Sequence, residues 1–441
     1  MNRASLEDRL WVATFIVAVA SDVLSGVIRY FTSMAGAAPA TYLPKLLMLA
    51  WVILILIKRP KASHALIALY LLAQSFVSLS HGVAPEAVGF FVWTIMPMLF
   101  ALTASPQALA LLNGGGARAA FFLLAALCFI GLLLNSFSPM PWVGQSVSVG
   151  GHNVSVAMSS YVGIASRLTG FGRDSASTGL MVGLLTTWLL MRTRSKLLQL
   201  ALLGCAGAAV YVTTNKTAPV ALALVVCAHC FLAAPTIRRA CLWAAGVAVG
   251  FPIVTFIATS AFNLAGSGYV MLASFQDRMW NTWPRLIEGL LKDGRIWLGL
   301  GPGGFGSAST YYESAFGFQV AYADNTVLYA VASFGFFGAL VLIWALVRLM
   351  LRAETTDRAS WVMLLYLLFA CASTDICESI GCLLFLGVTI RYLRESVPET
   401  YGHLSRMPLH TPLRGTGVVV DEHHPDALLE ASHGSFGRRL T

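Results

Sequence analysis

The chain has 441 residues, of which 57% are hydrophobic and 11% charged, with a formal net charge of +9. A soluble domain carries about 25% charged residues, so this composition excludes a soluble enzyme and predicts a polytopic membrane protein. The positive balance does not point to nucleic acid: the cations stand beside apolar runs, where membrane topology explains them, without the aromatic interleaving of a nucleic-acid patch.

Taken in chain order, about twelve apolar runs are long enough to cross a bilayer: 10–28, 41–57, 64–80, 87–105, 118–138, 175–191, 197–213, 217–234, 240–262, 324–347, 360–376 and 379–393. The first resembles a signal peptide followed by the small-residue stretch "AGAAPA". Glu7 and Asp8 precede it and many further runs follow, so it reads as a retained first span. The last two runs are interrupted by Asp375 and Glu378 and read equally well as one hairpin that dips into the membrane. The fold class is therefore all-α and polytopic, with residues 1–395 as the membrane domain. The tail 396–441 holds five of the nine histidines, several prolines and no apolar periodicity, and reads as a disordered, solvated segment. No internal repeat of the transporter kind is visible. Cys227 and Cys230, with His229 between them, mimic a metal motif. They lie in an apolar run and supply too few ligands, so ordinary span residues explain them.

Lysine and arginine in short loops set the orientation. One set of loops holds Lys58, Arg59, Lys61, Arg118, Arg192, Arg194, Lys196, Arg238, Arg239, Arg348, Arg352 and Arg358, whereas the alternate short loops hold only Arg29 and Lys216. Both termini are expected in the cytoplasm, and the long loops 139–174 and 263–323 on the opposite face, which is the periplasm if the cell is Gram-negative. In the second long loop, Met279, Trp283, Leu286 and Leu290 recur at helical spacing. They predict one or two short amphipathic helices on the membrane surface, with Trp280, Trp283 and Trp297 at headgroup depth. Pro284 breaks or restarts that helix. The glycines of "GLGPGGFG" lack the lysine and hydroxyl of a nucleotide-binding loop, so they read as a flexible or closely packed turn.

The outward face carries more cations than topology requires: Arg167, Arg173, Lys216, Arg278, Arg285, Lys292 and Arg295. Arg167, Arg173 and Lys216 stand at the mouths of spans, where an anionic lipid headgroup passes. Guanidinium forks match phosphate oxygens, so several of them around one cavity suit a pyrophosphate. The competing reading is ordinary snorkelling to headgroups. Asp324 begins a span and is followed by Asn325, so it is either a helix cap or a proton acceptor. Gly335–Gly338 ("GFFG") on the same span would admit a close helix neighbour. Asp22 is the clearest mid-span charge. His152 and Glu313 are further outward candidates.

Four segments, in order and on one face, resemble the superfamily of O-antigen ligases and O-antigen or exopolysaccharide polymerases. They are "RLTGFGRDSAS" (Arg167–Ser177), "TTNKTAP" (Thr213–Pro219), "RMW…LGLGPGGF" (Arg278–Phe305) and Asp324-Asn325, nine residues, then Gly335-x-x-Gly338. The likeness covers about residues 165–340. Ligases have His where this chain has Asp324, which favours the polymerase branch. The resemblance implies a bacterial inner-membrane glycosyltransferase that joins polyprenyl-pyrophosphate-linked oligosaccharide repeats on the periplasmic face, with no metal and no cofactor. It implies Asp324, Arg278 and Arg173 as catalytic residues, and Lys216, Arg167, Arg285, Asn325 and Trp280 as substrate-binding residues. Its implied partners are the lipid-linked donor and acceptor, membrane lipid, and chain-length regulators or export proteins. An O-antigen ligase and a flippase of lipid-linked sugars are the alternatives.

Overall fold

A computed structural model describes residues 5–149, 152–158, 161–162, 165–257, 273–312 and 322–397. Glu313 and the tail from 398 onward lie outside these. The amino-terminal third is helical: α1 Leu6–Val23, α2 Ser25–Met34, α3 Leu43–Lys58, α4 Ala62–Ser80, α5 Pro85–Leu102, α6 Pro106–Leu112 and α7 Gly115–Phe137. Two antiparallel strand pairs follow, β1 Ser146–Val149 with β2 His152–Ser155, and β3 Tyr161–Val162 with β4 Ala165–Ser166. Then come α8 Ser175–Arg192, α9 Lys196–Thr213, α10 Thr217–Phe231 and α11 Ala234–Ile257. The remainder is α12 Ala273–Asp277, a π-turn Arg278–Thr282, α13 Trp283–Lys292, α14 Ser307–Tyr311, α15 Thr326–Arg352, α16 Arg358–Ser373 and α17 Ile380–Glu395.

Among the described residues, seven helices are long and apolar enough to cross a membrane, and eight if the bent α1–α2 pair, broken by 84°, counts as one span. α10 and α16 are apolar but shorter. α8 falls outside the seven because its first turns are Ser, Thr and Gly, yet it is the centre of the molecule, with 14 of its 18 residues buried. Its small residues let neighbours approach: a Cβ on Gly183 would meet the Tyr366 hydroxyl at 2.3 Å. At the other end of α8 the core is aromatic. Trp188 lies 5.7 Å from Phe121 of α7 and 5.2 Å from Phe385 of α17, and Phe385 lies 5.5 Å from Phe15 of α1. Edge-to-face rings at these spacings pack favourably beyond their area alone.

Asp174 starts α8 by accepting the Ser177 N–H at 2.7 Å, one of the donors a helix start leaves unpaired. From there the helix runs about 27 Å to Arg192 at 1.5 Å per residue. At that far end, Arg118 donates to the Arg192 carbonyl at 3.4 Å. One Arg358 nitrogen donates to the carbonyls of Ala228, His229 and Leu232, each at 2.9 Å, closing the end of α10. Arg118, Arg192 and Arg358, which sequence placed in one set of loops, thus gather at the end of the bundle away from Ser175.

α15 is not continuous. Gly335 sits at φ +72 and breaks it, and the freed backbone groups are taken by the preceding loop. Leu300 N–H donates to the Ala332 carbonyl and Phe336 N–H to the Ile296 carbonyl, both at 2.7 Å. Non-helical backbone at this depth survives only where such partners exist. The neighbour that approaches Gly335 is therefore the 296–300 loop, not the helix expected. The second glycine of that motif, Gly338, does face a helix, at Tyr70 of α4.

α13 also departs from expectation. Its apolar face is amphipathic as predicted, and Pro284 restarts the helix after the π-turn. But Trp283, Leu286 and Leu290 are each 0% exposed and pack against Phe251, Phe275 and the start of α15. The Trp283 indole N–H donates to the Ala323 carbonyl at 2.6 Å. The face is covered by protein rather than laid on a membrane surface. Only Trp297, 54% exposed, keeps the character of a headgroup anchor.

Candidate functional site

The ends of α9 and α16 and the starts of α8, α10 and α15 come together at one end of the bundle. Side-chain hydrogen bonds bind them into a lip. Asn215 is the organiser: its Oδ1 accepts the Thr217 and Ala218 N–H groups at 2.9 and 3.0 Å, and its Nδ2 donates to the Ala176 carbonyl at 2.8 Å. The Thr217 hydroxyl meets the Ser373 hydroxyl at 2.8 Å. The Thr326 hydroxyl donates to the Thr374 carbonyl at 2.9 Å and accepts the Ile376 N–H at 3.1 Å.

Three cations reach this lip from separate segments. Arg278, on the π-turn, donates from Nε to Asp324 Oδ2 at 2.9 Å and from Nη1 to the Ser373 carbonyl at 2.9 Å. Arg167 donates from Nε to the Thr214 hydroxyl at 2.7 Å. Thr214 itself is one of two non-glycine residues at positive φ among the described residues, the other being Asp324. Lys216 stands in the same turn. Burial pushes the Arg167 guanidinium below its usual value, against the pull of Asp174 and with the Arg278 charge adding to the fall. Burial likewise holds the Lys216 amine down, followed by the charges of Arg278 and Arg167. The charges of Arg278 and Arg167 thus act on the turn that carries Lys216.

Asp324 is not a cap. The cap of α15 is Asn325, whose Oδ1 accepts the Leu328 N–H at 2.9 Å while its Nδ2 donates to the Ala372 carbonyl at 2.9 Å. Asn325 is 0% exposed and ties the start of α15 to the end of α16. Asp324, one residue earlier at φ +48, is turned away from the helix and toward Arg278. Its side chain is 43% exposed and that of Arg278 is 23% exposed, so both remain open to a ligand.

The other candidates lie elsewhere. The Arg173 charge acts on Arg29 and Lys45, and its Nε is buried without a hydrogen-bond partner among the described residues. Arg285 is on the exposed side of α13. Trp280 is partly buried against the Trp283 cluster, and its indole N–H is buried without a partner among the described residues. His152 packs its ring on Tyr311 and Tyr312, at 5.9 and 5.4 Å. What sequence reading missed is the polar stretch Ser373–Asp375, which forms one wall of the lip. Its signal was present as an interruption between two apolar runs.

The arrangement can do two things chemically. Three cations and a rim of hydroxyls can hold a multiply charged oxyanion. A carboxylate oriented by a guanidinium can take a proton from a hydroxyl beside it. No protein-family model matches the chain, and no curated protein matches it either.

Proposed function

We propose that the protein is a lipid-linked-oligosaccharide glycosyltransferase of the polymerase type, with its site on the periplasmic face of a bacterial inner membrane. The observation that carries this reading is the meeting of Arg167, Lys216 and Arg278 with Asp324 at one end of the bundle. In the reaction, Asp324 takes the proton of the acceptor sugar hydroxyl. The oxygen attacks the anomeric carbon of the donor, a C–O bond forms, and the bond to polyprenyl pyrophosphate breaks. Arg167, Lys216 and Arg278 hold the departing pyrophosphate as its charge grows. That leaving group is already good, so orientation and charge stabilisation are the enzyme's main tasks. In-line attack inverts the anomeric centre. Twelve spans, both termini in the cytoplasm, and assembly with chain-length regulators or export proteins belong to the same reading.

Loss of the gene in its own cell tests it. A polymerase mutant accumulates single lipid-linked repeats outside the cytoplasm. A ligase mutant leaves finished polymer on the carrier, and a flippase mutant traps repeats inside. Either of the last two outcomes overturns the proposal.

A further inference from the structure

The end of the bundle away from the mouth holds a knot of donors joined by direct contacts. Arg192, the last residue of α8, donates from Nε to Asn113 Oδ1 at 2.7 Å and lies over the Trp188 ring, with Cζ 3.3 Å from the centroid. Arg118, in the first turn of α7, donates from Nη1 to the Arg192 carbonyl at 3.4 Å. α7 begins two residues after Asn113, and no side chain caps it, so its first N–H groups are open. Gly115 and Gly116 are exposed, with empty space where a side chain would stand. A helical side chain leans toward its own helix start, which brings Arg118 over these N–H groups. Two further donors are buried with no hydrogen-bond partner among the described residues: Arg118 Nε and the indole N–H of Trp188, a residue only 1% exposed. Such groups are costly to leave unpaired, and an anion relieves them. Neither arginine is in an ion pair among the described residues. Asp357, whose charge reaches Arg192, is engaged in capping α16, where it accepts the Ala359 and Ser360 N–H groups at 3.2 and 3.3 Å.

The surroundings say which anion. α9 packs against α7. Just beyond the charged end, Leu123 of α7 and Leu197 and Leu200 of α9 stand outward, at 61%, 80% and 67% exposed. Arg194 and Lys196, between α8 and α9, are exposed beside them. Open N–H groups and guanidinium forks suit phosphate oxygens. An apolar flank beneath them suits a phosphate that carries hydrocarbon chains better than a free one.

We propose that the start of α7, with Arg118 and the Arg192 end of α8, forms a site for the phosphodiester headgroup of an anionic membrane phospholipid, whose acyl chains lie on α7 and α9. The phosphate takes the open N–H groups of α7 and the unpaired Arg118 Nε. The site lies at the end expected in the cytoplasm, opposite the Arg278 mouth, and does not depend on the polymerase reading. A lipid bound there clamps the far end of α8, the central helix.

The full-length protein in uncharged detergent, titrated with phosphatidylglycerol and read by native mass spectrometry, decides the matter. The wild type should take one phosphatidylglycerol about tenfold more tightly than those that follow. Arg118→Gln should lose this tight step, and Arg118→Lys should keep part of it, since charge remains but the fork does not. Gly116→Glu should lose it while melting no lower than the wild type, because the position has room for a side chain and an acid suits a helix start. That variant separates lost binding from lost folding. A wild type with no tight step overturns the inference. So does a tight step that survives in either Arg118→Gln or Gly116→Glu, which would mark general attraction of lipid to a positive surface. Equally tight binding of phosphatidylcholine overturns it as well, as does displacement of the lipid by inorganic phosphate at equal concentration, which would mark a free-phosphate site.

Discussion

Asp324→Asn is the most discriminating change. The substitution removes a negative charge and little else. The helix start keeps its cap, because the cap is Asn325. The backbone stays comfortable, because Asn tolerates φ +48 as well as Asp does. The ion pair with Arg278 is lost, but at 43% exposure of the carboxylate it is screened, and such pairs contribute about 0–1 kcal/mol. Folding should therefore survive. Catalysis should not: a positioned base contributes about 10²–10⁴-fold, or about 3–5 kcal/mol of barrier. Releasing Arg278 from its partner also leaves the mouth more positive, so donor binding should hold or tighten while turnover falls. Asp324→Ala adds about 1–2 kcal/mol of left-handed strain, so only that variant should lose yield. The assay is polymer formation from purified lipid-linked repeats, with melting temperature as the control. Turnover by Asp324→Asn within a few-fold of wild type would refute the base.

Arg278→Lys keeps the charge but cannot reach Asp324 and the Ser373 carbonyl together, so turnover should fall about 10- to 10³-fold and Arg278→Ala further; equal rates for the two variants would show that only bulk charge matters. Lys216 is held below the usual lysine value, so its charge is lost earlier as pH rises, and Lys216→Arg should carry the alkaline limb of the rate to higher pH; superimposable limbs would sink this. Gly335→Ala places a Cβ 2.1 Å from the Trp297 carbonyl at φ +72, a cost of about 2–6 kcal/mol from strain and overpacking; an unchanged melting temperature refutes it. A reporter active only outside the cytoplasm should be silent when fused at residue 196 and active near residue 290; the reverse pattern inverts the site's side.

Much of this architecture was legible because apolar length is a strong signal. The seven or eight helices long enough to cross among the described residues fall on apolar runs, and Arg118, Arg192 and Arg358 gather at one end. The site was legible in part, because charge is conspicuous in such a chain: Arg167, Lys216, Arg278 and Asp324 stand out against hydrocarbon. Their grouping was not. Nothing local to Arg173 says that its charge acts on Arg29 and Lys45, which come from α2 and α3, far off in sequence. The covering of Trp283 was hidden for a similar reason. An amphipathic stripe looks the same whether lipid or protein lies against it, and the protein here is Phe251 and the α15 start, far off in sequence. Ser373 and Thr374 were passed over because hydroxyls between spans are common and become a wall only when Thr217 and Arg278 arrive.

The π-turn carries one consequence for chain length. The Arg278 carbonyl accepts the Trp283 N–H five residues on, so this stretch holds one residue more than a regular turn. Each residue of a helix rotates its neighbours by about 100°. Deleting Asn281 would let the stretch relax into an ordinary helix while every side chain of the mouth is retained. Trp283 is pinned to the Ala323 carbonyl, so the rotation would fall on Arg278, swinging it off Asp324 and Ser373. At this point the molecule counts residues, and a missing one of no chemical interest would undo what an exchanged one leaves intact.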